Sequence, residues 1–485
     1  MKSYTLLLIV ALASAQTYDI VIANGRVMDP ETGLDAIRNI GIRGSRIAAI
    51  TSAPLTGKTS IDAKGKVVAP GFIDLHAHGQ TNEANEYQLH DGVTTALELE
   101  VGVASVEAYL NARKNNALLN YGATASHGIT RTTVMPKFAN LEAEARKTVL
   151  GWNELMSPGR YEPITNPEEM TKLAAGLERG LREGGLGIGM AHQYYPAASR
   201  EEIFRVFEMA ARWKVPIFTH VRSMEVEAMQ EVISNAAATG ASLHIVHVNS
   251  MSLSALPLVL EMIGAARKRG LDITTEAYPY TAASTHLEST IFDDGWQKRL
   301  GIGYGDVQWE KTGERLTAET FGPYRKLGGT VIMHLMKPEW IARAMASPFV
   351  MVASDGMPYA PGAHPRSAGT FSRVLGRYVR EQKVLTLMEG LKKMTIDPAR
   401  RLEPIAPAMK QKGRLKVGAD ADITVFDPNE IYDMATFEKL IFSKGIDHVL
   451  VNGVHLIKAG QTVTGVMPGQ PILGNYSSAP SVRRR

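Results

Sequence analysis

The chain has 485 residues, more than one compact core accommodates, so two domains or a large barrel with an appendage are expected. Hydrophobic residues make up 45% and charged residues 21%, a globular composition that excludes wholesale disorder. The net charge of +4 is spread out with no basic stripe interleaved with aromatics, so no nucleic-acid partner is expected. Cysteine is absent, which excludes disulfides and thiolate ligands; a metal would have to be held by His, Asp, Glu or a modified Lys.

At the N-terminus Lys2, the apolar run "LLLIVALA" and the small residues Ala13-Ser14-Ala15 read as a signal peptide over residues 1–15. The mature chain is then expected to start near Gln16 and to be periplasmic or secreted; a buried N-terminal strand is the alternative. That apolar run is too short to span a bilayer and no other segment reads as long enough, so no membrane partner is expected. The "RRR" at the C-terminus reads as a tail.

Residues 17–66 hold short β-like runs such as "YDIVIANGRVMD" and "NIGIRGSRIAAIT", broken by Gly, Pro and Asn. The same texture returns near the end in "GRLKVGADADITVFDP" and "IDHVLVNGVHLIKAG". One small β-sandwich built from both chain ends, 16–66 with 408–470, is expected. Between them, 67–407 alternates buried-strand runs with amphipathic helical stretches. Eight strand candidates stand out: "VVAPGFIDLH", "GVTTALELE", "YGATASHG", "GLGIGMAH", "VPIFTH", "SLHIVHV", "LDITTEAY" and "FVMVASD". Eight βα units predict an α/β fold of the (β/α)8 TIM-barrel class, with residues 285–327 as an inserted loop or lid and "GGTVIMHLM" as an extra strand.

Polar residues gather where these strands end: Asp74, His76 and His78; Glu98 and Glu100; His127; His192; His220; His244 and His247; and Asp355. Barrel active sites are built at that rim. Residues two apart on a strand share a face, so His76 and His78 look the same way. Taken alone, the pair could make ordinary hydrogen bonds. Seven of the 13 histidines converging on one rim point to a metal instead, because His and carboxylates hold zinc with a water position left open.

At this point the sequence resembles a family. "VVAPGFIDLHAH", "TH" at 219–220, "HVNS" at 247–250 and "SDG" at 354–356 resemble the amidohydrolase superfamily. "EAYPYTAAST" at 276–285, "HPRSAGTFSRVLGRYVRE" at 364–381, "MTIDPARRLE" and "GRLKVGADADITVFDP" are similar to the D-aminoacylases, the N-acyl-D-amino-acid deacylases. The likeness covers nearly the whole mature chain. It implies His76, His78, His220 and His247 as ligands of one or two Zn2+ ions and Asp355 as the acid/base. It implies Tyr278, Ser284 and Arg366 as the residues that recognise the substrate's carboxylate.

There are two departures. The family's bridging cysteine after "GVTT" is missing, and "ALELEVG" offers Glu98 and Glu100 instead. Two cations about 3.5–4 Å apart need an anionic bridge. Glu100, later on the strand and closer to the rim, is the expected bridge; a rim carboxylate paired with an arginine is the alternative. A lysine often found two residues after the sixth-strand histidine is replaced by Asn249, so a cation near the substrate has been lost.

The implied chemistry is amide hydrolysis. Bound zinc polarises the carbonyl and lowers the pKa of water from about 15.7 to about 7. Asp355 would take the water's proton and deliver it to the leaving amine, although "SDG" also suits a helix N-cap. The expected substrate is an N-acyl-D-amino acid or a similar small carboxylate-bearing amide. An isoaspartyl-dipeptidase-like or cyclic-amidase enzyme is the alternative. Those relatives commonly bridge their metals with a carboxylated lysine on strand four, and "GLGIGMAH" has none. A non-catalytic barrel scaffold would be expected to lose ligands, and all four histidines and the aspartate are present. A homo-oligomer is compatible with the sequence. His127, His192, Asp74 and His244 are expected to make supporting hydrogen bonds, with substrate contact a further option for the first two.

Overall fold

The computed structural model describes residues 17–149 and 151–476. The expected signal peptide and the terminal arginines lie outside the described residues.

Eight strands form one all-parallel sheet: Phe72–Asp74, Val93–Val103, Asn120–Ser126, Ile188–Ala191, Pro216–His220, Ser242–Ile245, Ile273–Ala277 and Val350–Val352, each hydrogen-bonded to the next. Each overlaps one of the eight expected runs, the second strand running on to Val103 and the third starting one residue earlier, at Asn120. The second strand is buried at every position, as a strand covered on both faces must be. Helices between the strands form the outer layer. Helix Arg200–Trp213, for example, starts where the Ser199 side chain accepts from Glu202 N and stops at Lys214 in the left-handed conformation.

Strands one and eight are joined by single contacts rather than a regular ladder. Asp355 N donates to His76 O (2.8 Å) and His78 N to Gly356 O (2.8 Å). The Asp74 carboxylate reinforces this seam, one oxygen accepting from both His76 N (3.1 Å) and Ser354 N (3.0 Å) and the other from Ser354 Oγ and Gln88 Nε2. Asp74 thus fixes the spacing between the first-strand histidines and Asp355.

Both chain ends build one second sheet, and its core mixes Ile22, Ile40 and Ile42 with Ile423, Val425 and Leu450. The run "VVAPGFIDLH" divides here. Val67–Pro70 pairs with Thr17–Asp29 and Ile423–Phe426 in this sheet, and only Phe72–Asp74 enters the barrel. The barrel therefore begins later than residue 67. After the sheet, the chain returns to the barrel, where Ile472 N donates to Tyr121 O (2.7 Å). The insertion is also wider than expected. Ala283–His286, Val307–Trp309 and Thr330–Met333 form a three-stranded antiparallel sheet.

One stretch, Val248–Lys268, is long and apolar enough by composition to cross a membrane, contrary to the sequence reading. It is interrupted at Leu253 (φ +45°) and buries Leu256, Val259, Leu260 and Ile263 against the barrel. The run is apolar because it faces the core.

Lys412, Asp420 and Asp422 fasten the sheet to the barrel. Lys412 Nζ lies 2.7 Å from Asp422 and 2.9 Å from Asp420, and Asp422 also accepts from Asn120 Nδ2 (3.0 Å) on the third barrel strand. The side chains of Lys412 and Asp422 are only 3% and 2% exposed. Lys412→Ala would leave a buried carboxylate without its cation, at a cost of about 3–5 kcal/mol. Urea unfolding should show a clearly lowered midpoint; an unchanged one would contradict the account.

Candidate metal centre and active site

Six side chains from five strand ends meet at the barrel's C-terminal rim. His76 and His78 follow strand one, and their Nε2 atoms are 3.1 Å apart. His76 Nδ1 lies 2.7 Å from Glu276 Oε1 and His78 Nδ1 lies 2.8 Å from Glu98 Oε2. A carboxylate at Nδ1 places the imidazole proton there and leaves the Nε2 lone pair facing inward, the arrangement seen behind metal-ligating histidines.

Glu100 divides its two oxygens. Oε2 faces His76 and His78 Nε2, both at 3.2 Å. Oε1 faces His220 Nδ1 (2.7 Å) and His247 Nε2 (3.1 Å). One carboxylate therefore spans two histidine pairs, as a bridging ligand must. Glu98 points elsewhere. Besides His78, it accepts from the backbone N–H groups of Val101 (3.2 Å) and Gly102 (3.4 Å). Gly102 (φ +73°) turns the chain there, where a Cβ would come within 2.7 Å of Thr124 O.

Asp355 completes the cluster. Its Oδ1 lies 3.5 Å from His76 Nε2 and 3.4 Å from His78 Nε2, and its Oδ2 lies 2.9 Å from Arg366 Nη1. Burial pushes this carboxyl up, but the Arg366 guanidinium beside it pulls it well below the usual carboxylate range. It is therefore ionised at neutral pH. Asp355 and His247 both have positive φ, +52° and +29°, a backbone strain that concentrates at functional sites.

The donor set fits a metal. His76, His78 and Asp355 form one group whose ligand atoms lie within 4.8 Å of one another; His76, Glu100 and His247 form a second. Two imidazole nitrogens and two carboxylates converging at 3.1–3.5 Å need positive charge among them, which a bound metal ion would supply. All-nitrogen and oxygen donors with fixed tautomers suit zinc.

The cluster floors a cavity at the barrel mouth, with Trp152, Tyr278 and Ile291 in its wall. Two segments cover it. Trp152, from the loop after the third βα unit, packs edge-on against His78 at 4.5 Å and donates to Gly102 O. The insertion contributes Ser284, Glu288 and Ile291 to the wall. Tyr161 OH donates to Asp293 (2.7 Å) and ties the two covers together.

The Amidohydrolase family model matches residues 59–457. The chain belongs to the amidohydrolase family. An N-acyl-D-glutamate deacylase of Alcaligenes xylosoxydans xylosoxydans is 31% identical over 469 residues, covering 90% of this chain and 93% of that protein. The N-acyl-D-glutamate deacylase of Bordetella bronchiseptica, solved with zinc and a phosphonate mimic of the tetrahedral intermediate, superposes with a TM-score of 0.80 at 25% identity. That match covers 94% of this chain and all (100%) of that one. A D-aminoacylase studied for the role of its binuclear metal centre superposes at 0.79 with 26% identity, covering 94% and 100%.

Within this amidohydrolase, Tyr278 and Ser284 line the cavity beside the metal cluster. Arg366 sits just behind them, 1% exposed, with its guanidinium 4.7 Å over the Tyr278 ring and Nη2 donating to Ser284 O (3.4 Å). His244 supports the centre indirectly, its Nε2 3.1 Å from Glu276 Oε2. His127 and His192 do not. His127 faces Tyr195 OH (3.0 Å) and Glu202 (3.1 Å), and His192 Nδ1 faces Thr219 Oγ1 (3.4 Å); neither lines the cavity. Both lie where the chain turns into a helix, His127 as the first residue of His127–Val134 and His192 of a short 3-10 turn.

Two residues escaped the sequence reading. Burial would push Glu276 up, yet His76 and His244 hold it down at about 2, so it is an anion that orients both rings. Gln193 Oε1 lies 2.5 Å from His220 Nε2 and turns Nδ1 of that ring toward Glu100.

The geometry assigns different losses to the two glutamates. Glu100→Ala should lower bound zinc per chain to one ion or fewer, while Glu98→Ala should retain most of it. Metal analysis of dialysed protein checks this; full loading of Glu100→Ala with loss in Glu98→Ala would reverse the assignment.

Proposed function

We propose that the protein is a zinc-dependent hydrolase of N-acyl-D-amino acids or closely similar carboxylate-bearing amides. The observation that carries this reading is a set of buried polar atoms left without hydrogen-bond partners beside the metal cluster: Tyr278 OH, Ser284 Oγ and Arg366 Nε. Buried donors are normally paired, and each unmade bond costs about 1–3 kcal/mol. A substrate carboxylate entering the cavity would accept from all three, and a planar guanidinium suits that group. The relatives named above act on N-acyl-D-amino acids, which supports the same reading.

His76, His78, Glu100, His220 and His247 would hold the zinc. Bound there, it supplies the polarisation that makes an amide carbonyl electrophilic and water acidic near neutral pH. The protein's own groups do the rest. Asp355 presents an ionised Oδ1 to the cluster, where it can take a proton from the attacking water and pass it to the departing amine nitrogen. Arg366 keeps that carboxylate charged and oriented while its Nε remains free for the substrate. Trp152 and the insertion keep bulk water from the reacting amide.

The dipeptidase-like and cyclic-amidase alternatives are disfavoured by strand four, Ile188–Ala191, which offers no lysine, and by Glu100, which spans both histidine pairs and would bridge the ions in its place. We further propose that the mature enzyme works in the periplasm or outside the cell, on the support of the pattern in residues 1–15.

The direct test compares N-acetyl-D- and N-acetyl-L-amino acids with the zinc-loaded protein. D-enantiomers should be hydrolysed, and Arg366→Ala should raise KM for them far more than for the corresponding amino-acid amides. Turnover of neither enantiomer would end the proposal. Asp355→Asn should keep the metal and lose at least about a hundredfold in kcat. Normal turnover in that variant would show that the proton passes through another group.

A further inference from the structure

We infer that Gln193 is a positioning residue. It sets how tightly the second metal position, between Glu100 Oε1, His220 and His247, holds its ion, and it ties that hold to the insertion. This rests on the metal centre described above and not on which amide is cleaved.

The two metal positions are supported from behind by different groups. His76 and His78 turn Nε2 inward, and the carboxylates of Glu276 and Glu98 face their Nδ1 atoms at 2.7 and 2.8 Å. His220 is turned the other way round. Its Nδ1 faces inward, 2.7 Å from Glu100 Oε1, and its Nε2 faces outward, 2.5 Å from Gln193 Oε1. An amide oxygen only accepts, so it keeps the imidazole proton on Nε2 and leaves the Nδ1 lone pair for an ion. The companion ligand, His247, has a buried Nδ1 with no hydrogen-bond partner among the described residues. Gln193 therefore orients an imidazole at the second position, and it does so without a negative charge. A neutral support makes the ring less basic toward a metal than a carboxylate would.

Gln193 is also held by the insertion. It sits in the turn His192–Tyr194, which follows strand four directly. Its backbone O accepts from Thr290 Oγ1 (2.7 Å), and the Tyr194 and Thr285 hydroxyls are 3.0 Å apart. Both threonines belong to the insertion, Thr285 in the strand Ala283–His286 and Thr290 in the turn Thr290–Phe292. The Tyr194 ring stands edge-on to His220, with ring centroids 5.1 Å apart. Two consecutive residues thus touch a metal ligand on one side and the insertion on the other. The same insertion carries Ser284 and Ile291 to the cavity wall. A shift of the insertion at Thr290 moves Gln193 against His220. Binding free energies are reciprocal, so an ion at the second position steadies the insertion in return.

Crystals of the full-length protein equilibrated at graded zinc concentrations report each position separately, through anomalous peak heights at the zinc edge. Gln193→Leu, close in size but unable to accept, should raise the zinc needed to half-fill the position at His220 and His247 by about tenfold or more. The position at His76 and His78 should fill as in the unmodified protein, which also shows that the variant is folded. Gln193→Glu restores an acceptor and should fill the second position at least as readily as the unmodified protein. Thr290→Val removes only the bond from the insertion and should raise the zinc needed at the second position by about fivefold or more. Unchanged filling in Gln193→Leu or Thr290→Val, equal losses at both positions in either variant, or a Gln193→Glu variant that fills less readily than the unmodified protein overturns this inference alone. Zinc at neither position of the unmodified protein would end the metal-centre reading with it.

Discussion

The two inward-facing imidazole nitrogens of His76 and His78, 3.1 Å apart, set the constraint on which the rest of the site depends. Glu98 and Glu276 fix their orientation from behind, and Glu100 and Asp355 add two more acceptors in front. Lone pairs and anions this close are stable together only around positive charge. The barrel provides the rigidity to hold them in this crowded arrangement. Its rim collects side chains from separate strands whose backbones are locked in a parallel sheet. The Asp74 seam sets where His76 stands relative to Asp355, so the histidine pair and the aspartate are placed by one contact set.

Glu100 stands between the two histidine pairs. A carboxylate reaches both histidine pairs through two separate oxygens, where a thiolate would use one sulfur. Outside the cluster, the site is assembled from long connections rather than from the barrel. Trp152, Tyr161, Ser284 and Ile291 all come from segments that cross the mouth, so the outer wall of the cavity sits on elements that can vary without disturbing the cluster.

Much of this was legible in the residues. Parallel barrel strands are buried on both faces and read as short apolar runs, so all eight could be found, and their terminal His and Asp residues marked the rim. The exception, "VVAPGFIDLH", is continuous in hydropathy although two different sheets share it, because burial against either gives the same pattern. Glu276 was missed because a lone carboxylate inside "TTEAY" has no spacing that ties it to His76, 200 residues away. Gln193 is uncharged and follows a histidine that drew the attention instead. His127 and His192 misled for the reverse reason: a strand-end position does not determine which way a side chain turns once a helix begins there. The cavity's outer wall was beyond reach, since no local pattern shows that Trp152 and Ile291 line one cavity.

The most direct test is anomalous diffraction at the zinc edge from crystals of the zinc-loaded protein. The account predicts two peaks flanking Glu100, one against His76 and His78 and one against His220 and His247, with a different Glu100 oxygen nearest each. Peaks bridged by Glu98, or zinc bound away from Glu100, would contradict it.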